Sequence, residues 1–197
     1  MAQISLGKML GIVAGGVAAG AALLWLREQV TESPNFETIE TDGAFEIRDY
    51  PAMLVAETVQ GGSRDRALGT GFGLLADYAF AETRGGEEVA MTVPVFAAPL
   101  ESGDWRIRFA IPMGWTRETL PEPGPDVTIV EVPPRRMAAI RFGGRADDKT
   151  LAAKERELRD WLAKTGRTPV GRAEHALYNS PVMPGPLRHN EVHIALA

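Results

Sequence analysis

Chemistry in this chain would have to start from three histidines, His175, His189 and His193. Imidazole can serve as a base, a proton shuttle or a metal ligand. The spacing of these three matches no metal-ligand pattern, and the chain has no cysteine to complete a metal set. The same lack of cysteine excludes thiol nucleophiles and disulfides. His193 alternates with Val192 and Ile194, so it points away from the face those two bury. All three histidines therefore read as ordinary surface or edge residues. Serine chemistry has no better support. There is no Gly-x-Ser-x-Gly elbow, and Ser63, Ser102 and Ser180 lie in turn-like contexts. With no catalytic constellation in view, the chain reads as a binding protein rather than an enzyme.

The segment Gly69-Thr70-Gly71-Phe72-Gly73 is glycine-rich without being a dinucleotide fingerprint. Its third glycine is misplaced, and it falls inside a helical stretch instead of between strand and helix. Each glycine costs about 1 kcal/mol of helix propensity relative to alanine. Close packing of helix on sheet would offset that cost, and so would a flat ligand lying against the backbone. Met53, Met91, Met113, Met137 and Met183 suit an adaptable apolar pocket and a core equally well.

Strands and helices must position these residues. Phe45 to Asp49 and Met53 to Val59 alternate as strands, with a break at Tyr50-Pro51. Gly61-Gly62-Ser63 is a turn, and Ser63 is placed to cap a helix running to about Glu82. Leu68, Phe72, Leu75 and Ala79 recur at helical spacing and are predicted to face the core. Val89 to Ala97 and Trp105 to Ile111 read as a strand pair, and Pro121 to Pro125 is a stiff connector. Beyond the connector the pattern returns. Ile47 aligns with Ile129, Pro51 with Pro133, Ala56 with Ala138 and Gly61-Gly62 with Gly143-Gly144. A second helix spans about Asp147 to Lys164 with Leu151, Leu158, Trp161 and Leu162 inward. Thr92-Val93-Pro94-Val95 then aligns with Asn179-Ser180-Pro181-Val182, and Trp105 to Ile111 with Asn190 to Leu196. Each copy is two strands, a helix and two strands. Neither can bury both faces alone, so the two should share a core about a pseudo-twofold axis.

A net charge of -5 argues against nucleic acid, whose phosphates need a basic surface. Met9 to Leu26 is an 18-residue run without a charge. As a helix it would be about 27 Å long, close to the thickness of a bilayer core. Ala19-Gly20-Ala21 allows the rival reading of a cleaved signal peptide, but cleavage there would leave Leu23-Leu24-Trp25-Leu26 at the mature end. An uncleaved anchor is the preferred reading. Lys8 keeps the N-terminus in the cytoplasm and places the domain outside it, in the periplasm if the cell is Gram-negative. The expected organisation is an anchor over 1–27, a polar linker over 28–43 and one domain over 44–197, with repeats at 44–120 and 127–197.

Several blocks, in order, carry a resemblance. They are Phe45 to Pro51, Gly71 to Tyr78, Val89 to Val95, Phe109 to Met113, Arg141 to Gly144, Tyr178 to Pro181 and Arg188 to Val192. The Met91-Thr92-Val93-Pro94-Val95 and Arg188-His189-Asn190-Glu191-Val192 blocks are the most specific. Together they resemble the SOUL haem-binding family over about residues 38–197. The resemblance implies an α+β fold, an internally duplicated and distorted eight-stranded β-barrel flanked by two helices. It also implies haem or another tetrapyrrole held in an apolar groove beside the first helix. The residues placed there are Gly69, Gly73, Leu74, Asp77, Tyr78, Met91 and Met183, with Arg64 and Arg66 facing the propionates. The family has no uniform axial ligand, so none is carried over. A non-haem apolar effector is the alternative ligand. Phe80-Ala81-Glu82-Thr83 departs from the family pattern, in which a glycine and an asparagine are common at this turn.

Overall fold

The computed structural model describes residues 32–82, 86–179 and 183–197. Their strands are β1 (Glu37–Asp42), β2 (Phe45–Tyr50), β3 (Met53–Gln60), β4 (Val95–Pro99), β5 (Trp105–Ala110), β6 (Thr128–Val132), β7 (Arg135–Gly143), β8 (Pro169–Leu177) and β9 (His189–Leu196). The helices are α1 (Arg64–Phe80) and α2 (Asp148–Lys164). All strand pairs are antiparallel, in the order β1-β2-β7-β9-β8-β4-β5-β3-β6. The sheet has nine strands and stays open, with β1 and β6 at its edges. This corrects the expected eight-stranded barrel.

The additional strand is β1, which lies where the polar linker was expected. Asp42 pairs with Phe45, so Gly43-Ala44 forms a two-residue hairpin loop. Gly43 sits at its first central position with φ +60°, the conformation such tight loops need. Composition hides β1, because nearly all of it is exposed and its cohesion comes from the hydrogen-bond ladder.

The order from β2 to β6 reads the same from either end once the repeats are exchanged. The register repeats too. Ile47 opposite Ala138 is mirrored by Ile129 opposite Ala56, and Ala138 opposite Ile194 by Ala56 opposite Phe109. The halves join along β4 and β8, where Ala97 pairs with its own counterpart, His175. The pseudo-twofold axis passes through that pair. One aligned block fails. Thr92 to Val95 leads into β4, whereas Asn179 follows β8, so the two are not equivalent. Ser180 to Val182 lie outside the described residues.

Directly paired residues in a sheet share a face. One row runs Ile140, Val192, His175, Ala97, Ile107 and Thr58, and both helices pack on that face. Leu151, Leu158, Trp161 and Leu162 of α2 cover one half, and Leu75, Tyr78 and Ala79 of α1 cover the other. Helix α2 starts as its sequence dictates, with the Asp147 carboxylate accepting from Thr150 N–H at 2.8 Å. Helix α1 ends on Ala81 at φ +56°. That is a left-handed C-cap, which explains why glycine suits this turn. An alanine there carries roughly 1–2 kcal/mol of strain. Ala81→Gly is therefore expected to raise the unfolding free energy by about 1 kcal/mol in denaturant titration; an unchanged or lowered value would contradict the reading.

Candidate functional site

The three glycines of α1 do different jobs. Gly71 is buried, and a Cβ built on it would come within 2.8 Å of Ile107 Cγ1. It lets the helix press onto β5 and serves packing. Gly69 and Gly73 point outward, with nothing within 4 Å of an added Cβ. The close approach at Gly71 also turns Phe72 out of the core. Phe72 was expected to be buried, yet it is 46% exposed. Phe80, two turns further on, is 37% exposed. With Gly69, Gly73 and Ala76 they make an apolar strip along the outside of α1, unusual for a surface helix.

The other residues placed in the groove divide. Arg66 is exposed in the first turn, and Leu74 and Asp77 are half-buried. Tyr78 faces the core instead, with its hydroxyl donating to Pro121 O at 3.0 Å. Arg64 is buried and lies between the starts of the two helices, paired with Asp148 at 2.7 Å and Asp65 at 2.9 Å. Met91 is half-buried against the α1 core. Met183 is buried, and its carbonyl accepts from Arg188 Nε at 2.7 Å. The strip thus assembles Gly69 and Gly73 with two phenylalanines that sequence periodicity assigned elsewhere or passed over.

The histidines depart furthest from expectation. His193 does point away from Val192 and Ile194, but it is completely buried on the far side of the sheet. His175 is also buried, and only His189 keeps partial exposure. The far face, on which His193 was expected to meet water, carries a paired network. Glu191 is its hub. Its carboxylate takes two hydrogen bonds from Arg48, at 2.7 and 2.9 Å, and one from Tyr178 Oη at 2.9 Å. His193 Nε2 lies 2.7 Å from it and His189 Nε2 2.9 Å. Burial opposes the charge on Glu191, yet His189, His193 and Arg48 outweigh it and hold the carboxyl well below the usual range. A second centre joins Glu174 to Arg108 at 2.5 Å and Arg135 at 3.2 Å. The Phe36 ring covers the Arg48 guanidinium at 4.5 Å. The specific Arg188 to Val192 block is therefore a buried polar anchor. Its signal was the run His189, Glu191, His193 on one side of β9.

Among the described residues no group of three or more histidines and carboxylates could hold a metal ion. No histidine lies on α1. A separate cavity of about 290 Å³ opens where residues 32–35 cross the ends of β3 and β5.

A nine-stranded antiparallel sheet with two helices on one face defines an α+β duplicated fold. The chain matches the SOUL heme-binding protein family over residues 31–195 and belongs to that family. Among solved structures it is similar to the EcmrR C-terminal domain, with a TM-score of 0.57 and 10% identity over 78% of this chain and 96% of that one. It is similar to a hydrolase from Listeria innocua, with a TM-score of 0.56 and 10% identity over 81% and 94%. At such identity the likeness is one of fold. Comparison with curated proteins finds no match.

Proposed function

We propose that the chain binds haem or a related tetrapyrrole along the outer face of α1. One observation carries this reading. Two phenylalanines stand exposed beside two glycines that no packing contact requires. A flat macrocycle can approach the backbone at Gly69 and Gly73 while its edges meet Phe72 and Phe80. Arg66 is the cation available to a propionate, since Arg64 is engaged by two aspartates. Membership of the SOUL family supports the ligand class. Haemin titrated into the purified protein should give a saturable haem absorption change. A purely additive spectrum would refute the reading, and saturable binding of an apolar compound without iron in its place would favour the effector alternative.

The same reading tethers the domain to a membrane through Met9 to Leu26 and places it outside the cytoplasm, periplasmic in a Gram-negative cell. The charge-free run behind Lys8 supports this. That run lies outside the described residues, and among those described no helix is long and apolar enough to cross a membrane. Protease added to spheroplasts should digest the domain; a domain protected until lysis would overturn the topology.

A further inference from the structure

The cavity under residues 32–35 shares no residue with α1. Its roof is a strap tied down at three points. Val93 N–H donates to Glu32 O at 2.9 Å, Met113 N–H to Glu32 Oε1 at 2.7 Å, and Asn35 Nδ2 to Met113 Sδ at 3.1 Å. Prolines at 34, 51 and 112 line it and bring no backbone N–H. The Thr92 hydroxyl at its floor is already donating to Ala110 O, at 2.6 Å. What remains is an apolar lining that includes Met53 and Trp115, with Glu32 as the one charged lining residue.

We propose that this cavity is a second binding site, for a small apolar ammonium. Size sets the first limit. A volume of about 290 Å³ holds on the order of ten water-sized groups at roughly 30 Å³ each. That accommodates an eight- or nine-atom chain and is too small to enclose a tetrapyrrole. Charge sets the second. The carboxylate of Glu32 favours a cation and disfavours an anion of the same shape. The indole of Trp115 adds a surface that attracts ammonium groups and repels carboxylates. A short alkyl chain with an ammonium head matches both the apolar lining and Glu32; a fatty acid of equal length matches only the lining. Because the roof is the N-terminal strap, a molecule that fills the cavity also fixes the point where the chain enters the domain.

The test is isothermal titration of the full chain with n-octylammonium and, separately, n-octanoate. Saturable binding of octylammonium is expected, with octanoate clearly weaker. Glu32 is exposed, so Glu32→Gln should leave the fold intact and weaken octylammonium about three- to fivefold, the scale of an exposed ion pair, while octanoate stays unchanged. Ala110→Met, which fills the floor, should abolish binding in protein that still melts cooperatively. If that variant does not fold, Glu32→Gln alone decides. Equal affinity for the two probes, no saturable octylammonium binding, or an unaltered affinity in Glu32→Gln would overturn the proposal.

Discussion

Glu191→Ala is expected to destabilise the domain by about 3–5 kcal/mol, the scale for removing one partner of a buried charge pair. Glu191 is 1% exposed, and Arg48, which it binds through both oxygens, is 4% exposed. Without the carboxylate, the buried Arg48 guanidinium, the buried His193 imidazole, the Tyr178 hydroxyl and the partly exposed His189 lose their common acceptor. For a domain of this size each kcal/mol moves the melting temperature by about 2–4 °C, so a fall on the order of 10 °C is expected. Glu191→Gln keeps the shape but not the charge, and its loss should be smaller. A melting temperature within a few degrees of wild type for Glu191→Ala would show that the network is not the anchor described above. The depressed pKa adds a direction. Glu191 contributes stability above the ordinary carboxylate range, and that stability is lost as acid protonates it.

His175 should give the second-largest effect, visible only as pH changes. It lies on the pseudo-twofold axis between the helix starts, with Trp105 at 5.8 Å between ring centroids. Burial, with Arg64 beside it, outweighs the pull of Glu155, Asp148 and Glu174 and lowers its pKa from 6.5 to about 4. The folded form therefore resists protonation while the unfolded chain takes up a proton near pH 6.5. Stability should be full above that pH and fall as pH drops towards about 4, then level off. At about 1.4 kcal/mol for each tenfold change, the loss approaches 3 kcal/mol. Carboxylates titrate in the same window, so the comparison is with His175→Gln under identical conditions. That variant should lose about 3 kcal/mol less than wild type between pH 7 and pH 4. Parallel curves would mean that His175 is charged or solvated in the folded protein.

How far the sequence could be read depended on which side of each element met water. Helix α2 was legible almost to the residue, because Asp147 caps it and its leucine stripe has a solvated back. Strand β5 was legible directly, and β9 followed as its counterpart in the repeat. Val89 to Pro94 was expected as strand, but regular pairing starts at Val95, after Ala90 takes a positive φ of 62°. The far face was hidden for a physical reason. One-sided sheets put their polar side chains in water, so His193 looked like a surface residue. Arg48 of β2 reaches Glu191 of β9 across β7, a contact that the tertiary strand order sets and local pattern does not show. On α1 the helical period was right: Leu75 and Ala79 are buried as expected, Leu68 packs partly buried against the same core, and Phe72 alone of the four faces out. The contact at Gly71 centres the buried arc on Ala67, Gly71, Leu75, Tyr78 and Ala79, which leaves Phe72 outside.

The claim that α1 carries the ligand has a direct test in haemin affinity for Gly73→Leu and Ala153→Leu, side by side. Both positions are exposed, on α1 and α2 respectively. A Cβ added at Gly73 meets no atom within 4 Å and the position faces outward, so the fold should survive. Replacing a helical glycine should even stabilise the helix by somewhat under 1 kcal/mol. If the macrocycle lies on the outer face of α1, Gly73→Leu loses haemin binding and Ala153→Leu retains it, with both proteins melting cooperatively. Equal haemin affinity in the two folded variants would contradict the account and move the ligand off this helix.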